Sequence, residues 1–254
     1  MRSEYFTFDG KKSLDMGYYS IRVGEPDAEQ ELLGDKKPKT ITYGTKLHNY
    51  ITKIEYEPIE FKLQIIPIKE KQWTIEMFST VCEWLIQDKY KPFISEDDPS
   101  KILYAISTGS TSWKGVMLYG VMEIDFITNA YHAWTYPRVE TISVQGSKTI
   151  NIKNLKNVGN RIYSPAIEIE KTGGNGDITI TNLSNNNKET KLTNINDKET
   201  FIMDNDYHLF KSDTPTNYYG EHFNKQWLYL VEGNNKLKID GNCNLEFKLQ
   251  FPIV

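Results

Sequence analysis

Hydrophobic residues alternate with polar ones along most of the chain, and one segment departs clearly from this period of two. Between Lys71 and Tyr90, apolar residues recur at spacings of three and four, which is typical of a helix with one buried face. Thr74 can cap the start of this helix, and lysines followed by Pro92 end it. The predicted buried stripe consists of Met77, Phe78, Val81, Cys82, Leu85 and Ile86.

Strands are predicted wherever the alternation is clean. Pro58 to Pro67 alternates in this way, which is typical of an antiparallel strand buried on one face. Asp9-Gly10 between β-prone residues indicates a hairpin turn. The other strands predicted in the first half are Leu14–Val23, Thr40–Glu57, Ile102–Ser107 and Val116–Ile127.

Two polar stretches interrupt this pattern and are predicted to be loops. Gly24 to Pro38 is charged and has turn-forming residues at both ends, and a loop of this length is usually functional or disordered. Thr108 to Gly115 is rich in small polar residues and separates two predicted strands. Both loops lie in the first half of the chain.

The composition changes near Asn129–Arg138, an aromatic stretch that contains a proline and indicates a boundary. Beyond it asparagine, threonine, lysine and isoleucine dominate, and turn clusters such as Gly173–Gly176 separate short strands. Such spacing favours a sandwich. The sequence therefore predicts two domains, residues 1–136 and residues 137–254. The strands predicted in the second are Thr141–Val144, Lys148–Ile152, Ala166–Glu170, Asp177–Leu183, Thr200–Asp204, Trp227–Val231, Lys236–Ile239 and Leu245–Phe251.

Charge and cysteine content narrow the class of protein. The formal net charge is -4, which disfavours a general grip on nucleic acid. Cys82 lies on the predicted helix and Cys243 in a predicted turn. We therefore expect no disulfide framework, and we expect the protein to be made in a reducing compartment. The first residues lack the apolar core of a signal peptide, and no stretch approaches the roughly 20 apolar residues of a membrane helix. We expect no membrane insertion.

Searches for catalytic and metal-binding patterns give no site. Asp204-Asn205-Asp206 could begin a calcium loop, but Leu209 and Pro215 occupy positions that need glycine and glutamate. Phosphate loops, dinucleotide fingerprints and nucleophile elbows are absent from the sequence. None of the histidines has metal-ligand spacing to another histidine or a cysteine: His48, His132, His208 and His222. We predict no metal and no cofactor.

Two carboxylate pairs remain as candidates for acid-base chemistry, Glu123 with Asp125 and Glu168 with Glu170. Each pair shares one face of a predicted strand, and such pairs usually form a solvated face. The sequence therefore predicts a protein without catalytic residues.

Aromatic residues in the second half leave two interpretations open. Tyr218, Tyr219 and Trp227 lie near polar residues, a combination found in carbohydrate sites, where rings stack on sugars. The same rings could fill the core and edges of a sandwich, which we favour. A carbohydrate-binding protein that recognises a host cell surface is therefore the alternative function.

Taken in order, several segments resemble the distal tail proteins of siphophages. The resemblance covers essentially the whole chain and indicates a short form without carbohydrate-binding insertions. The segments that carry it are Phe8-Asp9-Gly10, Met16-Gly17, Trp84-Leu85, Tyr90-Lys91-Pro92-Phe93, Asp97-Asp98-Pro99, Glu123-Ile124-Asp125-Phe126, Ala130-Tyr131, Asn157-Val158-Gly159-Asn160, Tyr163-Ser164-Pro165, Ile178-Thr179-Ile180-Thr181-Asn182, Phe201-Ile202-Met203-Asp204 and Gly233-Asn234-Asn235.

The resemblance implies a β-sandwich-like belt domain with one α-helix, followed by a galectin-like β-sandwich. It also implies a homohexameric ring that contacts the tail tube protein, the tail-tip hub protein and receptor-binding or baseplate proteins. DNA would pass through the ring, and the protein would be assembled in the host bacterial cytoplasm into the virion tail tip.

The long polar loop and the strands of Ile102–Ile127 are the candidates for contacts between subunits. A monomer core explains these segments poorly. The candidate interface residues are Glu25, Asp27, Glu31, Tyr104, Trp113, Glu123, Asp125 and Tyr131.

Overall fold

The computed structural model describes residues 5–23, 34–42, 44, 48–68, 72–116, 119–214 and 219–254. The chain divides into two compact units, Met1–Thr135 together with Val254, and Tyr136–Ile253. Strands predominate in both, so the prediction of a mainly β chain is confirmed.

The first unit is built on a seven-stranded antiparallel sheet with the order β2-β1-β7-β8-β9-β6-β3. A separate two-stranded ribbon, β4-β5, precedes β6 along the chain. The elements of this unit are β1 Phe6–Phe8, β2 Lys11–Lys12, β3 Tyr18–Val23, β4 Lys36–Thr42, β5 Asn49–Tyr56, β6 Glu60–Pro67, α1 Ile75–Leu85, β7 Lys91–Ser95, β8 Leu103–Val116, β9 Tyr119–Thr128 and β10 Ala133–Trp134.

Aromatic rings fill the core of the first unit. Phe93 is fully buried, and its ring centroid lies 5.4 Å from that of Phe6 and 4.9 Å from that of Phe61. Helix α1 contributes Trp84, whose ring stacks on Phe6 at 5.5 Å and whose indole N–H donates to the Phe8 carbonyl at 3.1 Å. The helix therefore packs against the inner face of the sheet through a ring contact and a hydrogen bond.

Helix α1 begins where the sequence predicts and ends earlier. The Thr74 hydroxyl accepts a hydrogen bond from the Met77 amide at 3.2 Å, so the predicted cap is confirmed. The expected end near Tyr90 is wrong, because the backbone is already extended at Ile86 (φ -93°, ψ 101°) and Lys91 begins β7. The prediction that Ile86 belongs to the buried stripe is also wrong, since its side chain is exposed.

The predicted loop Thr108–Gly115 is wrong as well. These residues belong to β8, which pairs with β9 as a long hairpin. The pairing register shifts between Ser107 and Thr111, where Gly109 has a φ of +84°. The small polar residues therefore mark an irregularity within a strand and not its end.

Two other predictions from the sequence are wrong in the segment that forms the ribbon. Thr40–Glu57 is not one strand, because β4 and β5 form an antiparallel pair from Lys36↔Tyr56 to Thr42↔Asn49. Lys36 to Pro38, expected in the long polar loop, lie in β4. Residues 24–33 of that loop lie outside the described residues.

The second unit consists of two antiparallel sheets over one hydrophobic core. The orders are β11-β19-β13-β16-β17 and β12-β18-β14-β15. Residues from both sheets, among them Phe247 and Ile180, join the same buried cluster. The elements are β11 Arg138–Val144, β12 Ser147–Asn154, β13 Ala166–Lys171, β14 Gly176–Asn182, β15 Lys188–Ile195, β16 Thr200–Asp204, β17 Leu209–Ser212, α2 Tyr219–His222, β18 Gly233–Asp240, β19 Cys243–Leu249 and β20 Pro252–Ile253.

Three features of this unit differ from the sequence prediction. Strands β15 and β17 and the short helix α2 were not expected. Trp227–Val231 forms no regular strand, and only Leu230 makes an isolated bridge, with Tyr163. Cys243 begins β19 and is buried, although the sequence placed it in a turn.

Candidate interaction surfaces

The β4-β5 ribbon is exposed along nearly its whole length. Cross-strand pairs place Pro38 opposite Ile54 and Thr40 opposite Ile51, with Tyr56 further along the same side. We call this side, formed by Lys36, Pro38, Thr40, Ile51, Ile54 and Tyr56, the apolar face of the ribbon. The side chain of Ile51 is 63% exposed. A single chain therefore leaves this apolar face in contact with solvent.

A bulge aligns the apolar residues of β5. Lys39 pairs with Lys53, whereas the next residue, Thr40, pairs with Ile51, so Thr52 is an extra residue. The Thr52 hydroxyl donates to the Lys39 carbonyl at 3.0 Å. Because of this extra residue, Ile51 and Ile54 lie on the same side although they are three positions apart.

The opposite side of the ribbon, its charged face, consists of Lys37, Lys39, Lys53 and Glu55 and, towards the tip, Ile41 and Tyr50. Lys39 and Lys53 approach Glu55 at 2.6 and 3.1 Å. Hydrogen bonds from these two lysines lower the pKa of the Glu55 carboxyl. These pairs are exposed, so they order the surface and contribute little stability.

Tyr131, a predicted interface residue, lies at the base of the ribbon. Its ring stacks on Tyr56 with the centroids 4.1 Å apart, and its carbonyl accepts a hydrogen bond from the Gly34 amide at 2.9 Å. Burial raises the pKa of its phenol. These contacts indicate that Tyr131 fixes the direction in which the ribbon leaves the sheet.

Three other predicted residues, Tyr104, Glu123 and Asp125, share the face of the seven-stranded sheet that is opposite the aromatic core. On this outer face Gln64 pairs with Glu123, and Lys62 pairs with Asp125. The Gln64 amide donates to Glu123 at 2.8 Å, and the Lys62 ammonium lies 3.2 Å from the same carboxylate. The expectation of a fully solvated carboxylate pair is wrong here, because Glu123 is only 6% exposed.

Apolar residues lie beside this charged group on the outer face. Ile106 pairs with Ile127, and Tyr104 pairs with Pro92 on the neighbouring strand. Their side chains are half-buried, as is that of Ile94 on β7. The outer face thus combines an apolar area with carboxylates.

Several predicted residues cannot be placed on either surface. Glu25, Asp27, Glu31 and Tyr218 lie outside the described residues. The backbone of Trp113 pairs with that of Met122 in the β8-β9 hairpin, and Tyr219 begins α2. Their side chains lie outside the described part of the chain.

Trp227, the candidate for sugar stacking, makes ring contacts within the second unit. The His208 ring stacks on it at 5.0 Å, and Phe223 meets it edge-on at 4.9 Å. His208 is held in turn by the Tyr229 hydroxyl at 2.9 Å. Since neighbouring rings already contact the indole, the geometry favours packing over a sugar platform.

Buried asparagines, which the sequence analysis missed, hold the irregular segment around Trp227–Val231. Asn235 is fully buried; its amide donates to the Val231 carbonyl at 2.8 Å, and its oxygen accepts from the Val231 amide at 2.8 Å. Asn182 donates to Tyr229, and Asn154 donates to Leu230. These side chains supply the hydrogen bonds that a paired strand would otherwise provide.

The second candidate carboxylate pair, Glu168 and Glu170, is bound to neighbouring side chains. Glu168 is paired with Lys248 at 3.1 Å, and Glu170 accepts from Asn244 at 2.8 Å. Within the described ranges, no three histidine, cysteine or carboxylate side chains form a group that could hold a metal ion. The helices in the described part of the chain are too short or too polar to cross a membrane.

The cysteines should differ in reactivity. Burial raises the pKa of the Cys243 thiol to about 11, and it raises that of the half-exposed Cys82 less. Iodoacetamide at pH 8 should therefore alkylate Cys82 first, because Cys243 is buried and holds about a hundredfold less thiolate than an ordinary thiol. Peptide mass mapping over time measures this. Equal rates in the folded protein would contradict it, and denatured protein should label both.

The same shift has a consequence for stability at high pH. An unfolded thiol loses its proton near pH 9, whereas the folded Cys243 keeps its proton up to about pH 11. The unfolded state then binds fewer protons in this window, so this group lowers the free energy of unfolding as the pH rises from 9 to 11.

Comparisons with known proteins agree over both units. Residues 1–130 match a family model described as the phage tail protein N-terminal domain, and residues 132–249 match one described as the phage tail C-terminal domain. The SPbeta prophage-derived uncharacterized protein YomH of Bacillus subtilis (strain 168) is 22% identical over 252 residues, which cover 98% of this chain and 97% of that protein.

Solved structures show the same fold. The crystal structure of the SPP1 Dit protein has a TM-score of 0.67 and 14% identity, covering 97% of this chain and 98% of that chain. A chain of the phage P2 baseplate in its activated conformation has a TM-score of 0.53 and 8% identity, with 98% of both chains covered.

The two-unit, mainly β fold is thus that of the Dit protein of SPP1. The chain belongs to the phage tail protein family that the two domain models describe. The resemblance to siphophage distal tail proteins is confirmed by this family match together with the fold.

Proposed function

We propose that the protein is a structural hub of the phage tail tip. The observation that supports this most is the agreement in fold, over nearly the whole of both chains, with the SPP1 Dit protein, which is described as a paradigm of the hub adsorption apparatus in phages that infect Gram-positive bacteria. Residues 1–136 form a belt domain that builds a ring, and residues 137–254 form a galectin-like domain.

The ring contains six copies of the chain. Ring closure requires one chain to carry two different surfaces that fit each other, so that the contact repeats until it returns to the first copy. The exposed apolar face of the ribbon supports such an assembly, because monomeric proteins seldom leave contiguous apolar surface uncovered.

The ring joins the tail tube protein on one side to the tail-tip hub protein on the other, and it docks receptor-binding or baseplate proteins. DNA passes through it without being read. The net charge of -4 suits this role, because a basic lumen would retain DNA phosphates. The protein is not an enzyme; it is assembled in the host cytoplasm and resides at the virion tail tip.

Mass measurement in solution combined with negative-stain imaging tests the proposal. We expect a particle of six times the 29.5 kDa chain mass, with sixfold symmetry and a central opening. The parent tails, labelled by an antibody against this chain, should carry the label at their tip. A monomeric mass together with unlabelled tail tips would contradict the proposed role.

A further inference from the structure

We propose that His222, Phe223 and Asn224 form a latch, which covers the free edge of β15 and keeps this edge from pairing with strands of other molecules. The latch begins at the last residue of α2. Among the described residues, β15 is the terminal strand of its four-stranded sheet, and β14 is its neighbour there. The inference concerns the second unit only and is independent of the role proposed in the tail.

The edge of β15 is long enough to accept another strand. A terminal strand presents a row of main-chain N–H and C=O groups, to which a strand of another chain can bind. β15 has eight residues, and its buried Leu192 and Ile195 belong to the core cluster of the second unit. Lysines often block such edges, but Lys191 is paired with Asp177 of its own sheet at 3.3 Å. The edge therefore benefits from a further cover.

The latch binds the main-chain groups on the open side of β15. The Asn224 side chain accepts a hydrogen bond from the Lys191 amide at 3.0 Å and donates one to the Glu189 carbonyl at 2.9 Å. The Asn224 amide donates to the Lys191 carbonyl at 3.0 Å. His222 Nδ1 lies 2.8 Å from the Thr193 carbonyl, to which it donates. These three residues of β15 alternate along the strand, so the four bonds lie on one side of it.

Phe223 anchors the latch in the core. Its side chain is buried, and its backbone forms an isolated antiparallel bridge with Leu192. The Phe223 ring stacks on Phe210 with the centroids 5.4 Å apart. Phe210 lies in β17, which is the terminal strand of the five-stranded sheet among the described residues. The latch therefore connects the free edges of the two sheets and closes this side of the sandwich.

The latch and an added strand exclude each other. A strand that paired with β15 would bind the same outward groups, namely the Glu189 carbonyl, the Lys191 amide and carbonyl, and the Thr193 carbonyl. Covering an edge with a short non-strand segment is one of the ways in which proteins prevent pairing between molecules. Lifting the latch should therefore make the second unit associate with other molecules through β15.

Hydrogen exchange at the Lys191 amide tests whether the latch covers the edge. His222→Ala combined with Asn224→Ala, the opened variant of the full chain, removes three side-chain bonds to β15 and retains the Phe223 anchor. The Lys191 amide should then exchange about 10-fold faster or more. Gln226→Ala is the matched control, because it removes an exposed amide side chain two positions further on, and it should change this rate less than about twofold.

Light scattering tests what the edge does once it is free. The opened variant should associate about 10-fold faster or more than the Gln226→Ala control. Adding Lys191→Pro to the opened variant should suppress this association, because proline removes an outward N–H donor and is tolerated on an edge strand. Circular dichroism spectra check that the sheets persist. If the opened variant loses them, Asn224→Ala alone, which removes two of the three bonds, is measured in the same way.

Each possible result decides for or against the latch. Faster exchange, faster association and suppression by Lys191→Pro together would support it. An unchanged exchange rate at the Lys191 amide would show that the latch does not cover the edge. Faster exchange without association would show that the edge needs no cover, and association that persists with Lys191→Pro would show that the contact lies elsewhere. Any of these three results would overturn the proposal.

Discussion

Replacing Phe93 with alanine should lower the free energy of unfolding of the first unit by about 3–5 kcal/mol, the range for deleting a buried phenylalanine ring. The ring is fully buried, and it lies between Phe6 and Phe61 at centroid distances of 5.4 and 4.9 Å. Its removal leaves a cavity that the rings on both sides would have to fill. Phe6 cannot move freely into this cavity, because it also stacks on Trp84.

Tyr90→Ala is the matched control, because this aromatic residue lies three positions away and its side chain is 46% exposed. This substitution should lower the free energy of unfolding by less than about 1 kcal/mol. Since the chain has two units, hydrogen exchange followed by mass spectrometry is the appropriate measurement: protection should fall in β1, β7 and α1. Equal losses in the two variants would show that the Phe93 ring is not part of the core.

Asn235→Ala should lower the free energy of unfolding of the second unit by about 2–4 kcal/mol. The side chain makes four hydrogen bonds: it donates to Val231 and Gly233, and it accepts from Val231 and Asn182. Alanine removes all four bonds at once, although the Val231 carbonyl keeps a bond from Asn154 and Asn182 keeps its bond to Tyr229. The loss therefore exceeds that of a single hydrogen bond, which contributes about 1 kcal/mol.

The adjacent Asn234, which is exposed, provides the control. Asn234→Ala changes the same residue type on the same strand and should shift stability by less than about 0.5 kcal/mol. Hydrogen exchange should show faster opening of residues 227–232 in the Asn235 variant only. If both variants behaved alike, the buried bonds would not be what holds this segment.

Local patterns in the sequence were sufficient for part of the fold. The Thr74 cap depends on residues three positions apart, and the alternation of Leu245, Phe247, Leu249 and Phe251 corresponds to four buried side chains. Such signals are complete within a few residues. They identified helix α1 and the strands β18 and β19 of the second unit.

Other elements depend on contacts that short windows do not contain. Strand β15 has the composition of a loop, rich in lysine, threonine and asparagine, yet Leu192 and Ile195 enter the core because the strand pairs with β14. The role of Asn235 required the segment around Val231 to approach β18. For the candidate surfaces, the sequence predicted Tyr131, Glu123 and Asp125 as interface residues. It did not predict Lys62 or Gln64, which contact Glu123 from β6.

The extra residue in β5 has a consequence for how this hairpin can change in length. Deleting Thr52 would remove the bulge, and Ile51 and Ile54 would then be two positions apart, as in a regular strand. Both isoleucines would therefore stay on their present side of the ribbon. Homologous chains one residue shorter at this point would thus present an unchanged surface. An insertion or deletion elsewhere in β5 would invert every side chain beyond it.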